Sequence, residues 1–345
     1  MKAALFKGVA ELQLRELSKP EINDNELLIK IKASSICGTD KRIFKNGHFK
    51  IPTNTERVLG HELSGEVYAV GKNVSKLKVG DRVTVAPNVG CGQCHMCLQG
   101  FNQLCPQYEA FGISMDGGFA EYMKVPAKAI GNVVSIPDHI SFEEAALIEP
   151  FSCAYRAYSA HDTKPGDTVL VIGPGPIGAM HVMLNKLAGA RVIVAGTRDA
   201  RLEEIKKHGA DVIINSKKVD LKEAIMDLTN GNGVDVVITA VSSPEVQTQA
   251  LELSGYRGRI SLFGGLPKGK EMVQLDTNLI HYKEMIVTGT TGSTIDDFYQ
   301  SIKLLSDRHI NLMPLISATY SLDQTLVAFN HALSGEGMKT VIVNS

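Results

Sequence analysis

The chain of 345 residues carries no excess of either charge: 36 Lys and Arg stand against 37 Asp and Glu, a formal net charge of -1, with no basic stripe and no acidic tail. That balance argues against nucleic acid or any other polyanion as a partner. Long apolar runs are also missing. The opening MKAALFKGVAELQL meets Lys7 after a run too short for a secretion signal, and no later stretch has the length to cross a bilayer. A cytoplasmic protein with no membrane partner is expected. In that reducing compartment clustered cysteines read as metal ligands or catalytic groups before disulfides. Internal repeats and low-complexity tracts are absent too. The length exceeds the ~250–300 residues at which a single core stops growing, so two domains are expected.

What is present divides the chain by texture. To about Pro137, short β-like runs broken by glycine (ELLIKIKAS, HELSGEVYAVG, DRVTVAP, GGFAEYMKVP) predict a mostly-β domain. Six apolar runs follow, separated by amphipathic stretches: TVLVI (168–172), RVIVA (191–195), DVIIN (211–215), VDVVITA (234–240), GRISLF (258–263) and EMIVTG (284–289). Near-continuous Val and Ile predicts strands covered on both faces, hence a six-stranded, parallel, doubly wound sheet and an α/β fold class. After Thr290, TIDDFYQSIKLLSDRHI reads as helix and MKTVIVN as a closing strand that suits the first domain. The expected division is 1–152 with 291–345, and 153–290.

Four of the six cysteines fall within fifteen residues, as Cys91-x2-Cys94-x2-Cys97-x7-Cys105. The spacing matches a tetrahedral zinc site of the all-cysteine type, with Gly90, Gly92 and Gly100 letting a short loop wrap one ion. Four protein ligands leave no vacancy for substrate, so such a site stabilises the fold without doing chemistry. Two disulfides, free thiols or an iron–sulfur cluster are the alternatives. A reactive metal would then lie elsewhere. Cys37 in SSICGTDKRIFKNGHFK, adjacent His61 and Glu62 in RVLGHELSGEVYAVG, and Glu149 before Pro150 in AALIEPFSCAY are the candidates. Singly they are weak, since a lone Cys is more often buried filler and a lone His a satisfied polar group.

TVLVIGPGPIGAMHVML runs strand, Gly173-x-Gly175-x-x-Gly178, helix, with Pro176 and Ile177 between the last two glycines. Glycines there permit a tight turn and bring a pyrophosphate against a helix N-terminus. An NAD site usually ends its second strand with an acidic residue. This strand ends Gly196-Thr197-Arg198, with Arg201 close behind. A bidentate arginine suits the 2′-phosphate of NADP. The bland alternative leaves Arg198 and Arg201 as exposed residues at a helix start capped by Asp199. NADP is favoured, with NAD not excluded.

The segments CGTD, GHELSGEV with VGDRV, the four-cysteine loop, IEP and GPGPIG occur in one order across essentially the whole chain. In this the chain resembles the zinc-dependent medium-chain dehydrogenase/reductase family, and within it the polyol (sorbitol and galactitol-phosphate) and threonine dehydrogenase branch. The resemblance implies a GroES-like catalytic domain, a Rossmann dinucleotide domain and two zinc ions per chain. One zinc would be held by Cys37 and His61 with Glu62, Glu149 or both, and the other by the four cysteines. Thr39 matches the hydroxyl that links substrate oxygen to a proton relay. Where relatives often carry a relay histidine five residues after the ligand cysteine, Arg42 stands, which cannot act as a base at neutral pH. Water, a cofactor ribose or His48 would carry the proton instead, or Arg42 would bind an anionic part of cofactor or substrate. The implied activity interconverts a secondary alcohol of a polyol or polyol phosphate and its ketone, with hydride transfer to or from a nicotinamide, in a homodimer or homotetramer. Threonine 3-dehydrogenase, a short-chain secondary alcohol dehydrogenase or ketone reductase, and a catalytically silent nucleotide-binding relative are the alternatives. Intact Cys37, His61 and glutamates argue against the silent reading.

Overall fold

Two units make up the computed structural model, Met1–Ser152 with Gly292–Ser345 and Cys153–Thr291, and the residues described are 1–52 and 54–344. In the first unit, Leu27–Ser35 buries Leu27, Ile29 and Ile31 and becomes the central strand of a seven-stranded sheet. Glu62–Val70 pairs with it antiparallel along one edge. Its other edge is shared, first by Tyr122–Val125 and then, from Ala33 to Ser35, by the C-terminal strand Lys339–Val343. Arg82–Val85 and Val133–Ser135 extend the sheet on one side, and Ile316–Ser321 on the other.

Register fixes what meets at the sheet's end. Ser35 lies opposite Glu62 on one side and opposite Val341 on the other. Cys37 follows Ser35 after the single residue Ile36 and stands at the N-cap of the helix Gly38–Asn46. Three segments far apart in sequence, around Cys37, Glu62 and Lys339, are therefore delivered to one place by backbone pairing alone.

The second unit is a six-stranded, wholly parallel sheet in the order Val212–Asn215, Arg191–Gly196, Thr168–Ile172, Val234–Thr239, Ser254–Leu262, Ile286–Gly289. The six expected strands are all present. The fifth begins earlier than expected, at Ser254, because the chain pairs at Val234↔Ser254 before a register shift restores the ladder at Val236↔Arg259. Strand order reverses around Thr168–Ile172, the switch point at which doubly wound sheets bind ligands. Directly after that strand, the glycine turn opens the helix Pro176–Leu187.

A polar chain is sealed inside this unit. His161 Nδ1 lies 3.0 Å from Thr163 Oγ1, which donates to Asn185 Oδ1 at 2.7 Å, and Asn185 donates to the His181 carbonyl at 2.7 Å. His181 meets Phe263 edge-on, and neither of its ring nitrogens has a hydrogen-bond partner among the described residues. Burial lowers the His181 pKa to about 3, with the His161 charge adding to the effect. Burial, then Arg259, lowers that of His161 to about 4.

Both rings titrate near 6.5 in the unfolded chain, so between that pH and their native values only the unfolded state takes up their protons. The stability they confer is complete above pH 6.5 and is lost as pH falls through about 4 and about 3. Urea unfolding of the protein at pH 7, 6 and 5 should show a loss of up to roughly 1.4 kcal/mol per pH unit for each histidine. His181→Leu should flatten that slope; an unchanged slope would remove His181 from the effect.

Candidate active site

Cys37, His61 and Glu62 present donor atoms that all lie within 4.8 Å of one another. His61 and Glu62 are buried and Cys37 is half-buried. Gly60 sets the approach of this segment: at φ +92, a Cβ on it would meet the Phe119 ring at 2.8 Å, so the chain bends here only as glycine.

Two residues outside the expected set hold the cluster. Asp40, wholly buried, accepts from the Cys37 N–H through Oδ2 at 2.8 Å and faces His61 Nδ1 with Oδ1 at 3.4 Å. At 3.4 Å the two atoms fall short of a hydrogen bond, but a carboxylate on that ring edge favours the tautomer that leaves Nε2 as the donor for a metal. Lys339, reaching in from the last strand, forms a buried ion pair with Glu62 Oε2 and donates to the Ile36 carbonyl at 3.3 Å. Glu62 Oε1 is buried and has no hydrogen-bond partner among the described residues.

An orphaned carboxylate oxygen is expensive unless a cation meets it. Burial alone would lower the pKa of His61, yet Asp40 and Cys37 raise it well above the ordinary value. Burial would likewise lower that of Lys339, and Glu62, Cys37 and Glu149 reverse it. The pull these groups exert on a proton is the pull a divalent ion would meet. Thiolate, imidazole and carboxylate suit zinc, so the residues fit the metal.

Glu149, buried in the first turn of the helix Ile148–His161, is not one of the three clustered donors, although its charge reaches Lys339. Thr39, half-buried in the first turn after Cys37, accepts a hydrogen bond from Arg42 Nη2 at 2.9 Å. His48 accepts the Lys50 N–H through Nδ1 at 3.2 Å and stacks on Phe49.

Cys91, Cys94, Cys97 and Cys105 also lie within 4.8 Å of one another, and none is in a disulfide. Zn–S bonds of about 2.3 Å imply tetrahedron edges of about 3.8 Å, which this group admits around a single ion. Backbone N–H groups of Gln93 and Cys94 lower the Cys91 thiol to about 6, and those of Cys91 and Gln107 lie 3.4 and 3.3 Å from Cys105 Sγ. Such donors favour thiolates over thiols.

In the second unit each glycine of the turn has its own reason. Gly173 has φ +125, and a Cβ on Gly178 would lie 2.0 Å from the Gly173 carbonyl. At Gly175, the N-cap of the following helix, a Cβ would meet nothing within 4 Å. Pro176 and Ile177 open the helix it caps. Gly196 is glycine for a local reason, since a Cβ would strike Pro174 at 2.5 Å. Thr197 and Arg198 are exposed and Arg201 is half-buried; burial, then the Arg198 charge, lowers the Arg201 pKa. Asp199 does not cap the helix: Arg198 holds the cap position, and the Asp199 carboxylate accepts from Asn215 and Lys218 at 2.7 and 2.8 Å.

A family model of the alcohol dehydrogenase GroES-like domain matches residues 23–138, and one of the zinc-binding dehydrogenases matches residues 176–307. The chain is 37% identical to a sorbitol dehydrogenase of Bacillus subtilis (strain 168), covering 96% of this chain and 94% of the relative. It is 37% identical to a D-arabitol-phosphate dehydrogenase of Enterococcus avium, over 97% and 94%, and to an L-threonine 3-dehydrogenase of Pyrococcus abyssi (strain GE5 / Orsay), over 96% and 94%. A crystal structure from Sinorhizobium meliloti 1021, described as a zinc-binding dehydrogenase bound to NADP, superposes with a TM-score of 0.91 at 31% identity, over 99% of both chains.

Removing Lys339 would leave Glu62 buried and uncompensated, a loss of about 3–5 kcal/mol for a broken buried pair. Lys339→Met should therefore lower the thermal midpoint strongly in chelator and much less with zinc added, because the ion takes over as countercharge. Equal losses in the two conditions would show that Glu62 faces no metal.

Proposed function

The chain belongs to the zinc-binding alcohol dehydrogenase family, and from that membership we propose that it oxidises a secondary alcohol of a polyol or polyol phosphate to the ketone, reversibly, with NADP as the hydride carrier. The observation that carries this reading is the cluster of Cys37, His61 and Glu62, with Glu62 Oε1 buried and unpartnered. When bound, a zinc ion at these three donors supplies Lewis acidity that lowers the pKa of a substrate hydroxyl, and the nicotinamide accepts the hydride.

The chain's own residues do the rest. Lys339 holds Glu62 Oε2 and leaves Oε1 free, so this one carboxylate would complete a neutral donor set with the thiolate and the imidazole when zinc is bound. Glu149 stands back from the three donors and would exchange with water or substrate when zinc is bound, since two bound carboxylates would make the metal a weaker acid. Thr39 Oγ1 takes the hydrogen bond of the substrate hydroxyl. Arg42 already donates to that oxygen, which lowers the cost of negative charge there, yet a guanidinium cannot accept a proton. The proton therefore passes from Thr39 to water or to a coenzyme ribose.

Arg198, with Arg201 behind it, supplies the contact to a 2′-phosphate, and the bare Gly175 gives the pyrophosphate room at the helix N-terminus. The four cysteines hold a second, structural zinc. The reading carries with it a cytoplasmic protein and a homo-oligomer, the second supported by the open sheet edge at Ile286–Gly289, where Ile286 is 56% exposed.

Metal analysis of freshly prepared protein should give two zinc equivalents. Cys37→Ala should abolish turnover with the fold retained, whereas Cys97→Ala should cost stability first. Arg198→Ala should raise KM for NADP roughly ten- to hundredfold, the range for a hydrogen bond to a charged group, and change KM for NAD little. Among polyols, polyol phosphates and threonine, a preference for threonine would replace the polyol reading. Full activity of the Cys37 variant would overturn the site itself.

A further inference from the structure

Two cations, Arg42 and Lys50, flank the neutral imidazole of His48 along the helix Gly38–Asn46 and its exit loop. Arg42 leans back along the helix to donate to Thr39 Oγ1 at 2.9 Å. His48 accepts the Lys50 backbone N–H through Nδ1, which leaves its proton on Nε2, the outward donor. Lys50 Nζ donates to the Tyr108 carbonyl at 2.8 Å and lies 3.2 Å from the centroid of the Tyr108 ring. Burial, then Lys50 and Arg42, lowers the His48 pKa, so both positive groups face that ring and no carboxylate opposes them. None of the three forms a salt bridge among the described residues. Phe49 stacks on His48 and is 85% exposed, an aromatic face left in solvent beside the cations.

Neighbouring positive groups with no carboxylate paired to them are what a dianionic oxyanion requires, with guanidinium supplying paired hydrogen bonds and ammonium supplying charge. Its place relative to the chemistry is set by the helix. Five residues separate Arg42 from Cys37, about 7.5 Å of helical rise, less the distance by which Arg42 leans toward Thr39. A short extended carbon chain covers that span between a reacting carbinol and a terminal ester.

We propose that Arg42, His48 and Lys50 form a phosphate subsite that selects a polyol phosphate ester over the free polyol. This rests on the reading of the chain as a polyol dehydrogenase and narrows its substrate class. The arginine at the position where a relay base would stand thereby trades proton transfer for substrate recognition. Phosphate chemistry could also come from the coenzyme pyrophosphate, and the test separates the two.

Steady-state kinetics with zinc-loaded protein and NADP, comparing arabitol with arabitol phosphate and galactitol with galactitol 1-phosphate, should give kcat/KM at least tenfold higher for an ester than for its parent. Arg42→Gln and Lys50→Gln should each shrink that ratio about tenfold or more, chiefly through KM of the ester, with Arg42→Lys retaining part of it. Zinc content equal to wild type excludes a damaged metal site as the cause. Turnover of free polyols with no preference for the esters would overturn the subsite and leave the dehydrogenase reading standing. Loss of turnover with every polyol and ester would instead sink that reading. A rise in KM for NADP in the Arg42 variant, with the ester preference intact, would assign the cations to the coenzyme and refute the proposal.

Discussion

The buried ion pair between Glu62 and Lys339 is the constraint on which the first unit depends. Two charges withdrawn from water are tolerated only where geometry satisfies both, and here the sheet supplies it. Glu62 starts one strand, Lys339 starts another, and the strand ending at Ser35 lies between them. The pair leaves one carboxylate oxygen unspent. That oxygen, the Cys37 thiol and the imidazole that Asp40 faces form a donor set whose demand for positive charge is built by backbone pairing rather than by local sequence.

A comparable economy runs through the second unit. Pro174 occupies the space where a Cβ on Gly196 would fall, so the glycine turn and the end of the neighbouring strand are packed as one object. The small residue at the strand end is thus a packing requirement as well as a coenzyme signal. An acidic side chain placed at position 196 alone would have to displace Pro174, and the turn with it. The turn and the strand end accordingly constrain each other, and a substitution in one is felt in the other.

Much of this was legible in the sequence. All six strands of the parallel sheet announce themselves as Val and Ile runs because both faces are covered. The four-cysteine spacing and the adjacent His61 and Glu62 are local patterns, and they come together in space. Asp40 was within the segment CGTD, and an acid at the third position of a helix is a visible capping signal. Lys339 carried no such signal. Its partner is 277 residues away, and a lysine near the C-terminus looks like any exposed lysine until the sheet is assembled. The Arg42 to Thr39 bond was hidden differently, because a spacing of three on a helix allows the contact without requiring it. The role of Gly196 was half legible: the missing acid was plain, the proline that fills its place was not.

The position of Lys339 on the last strand bears on how the protein is made. Residues Cys153–Thr291 form a contiguous unit that can fold once they have emerged from the ribosome, whereas the first unit is interrupted and must wait for its C-terminal strand. At 5–20 residues per second, the 277 residues between Glu62 and Lys339 take roughly 14–55 s to synthesise. Throughout that interval the carboxylate lacks its ammonium partner, and the central strand Leu27–Ser35 has its edge uncovered from Ala33 to Ser35. The nascent chain is thus exposed to mispairing at this edge until Lys339–Val343 has emerged. A chain that stops short of Lys339 carries Cys37, His61, Glu62 and the four clustered cysteines yet cannot complete this sheet.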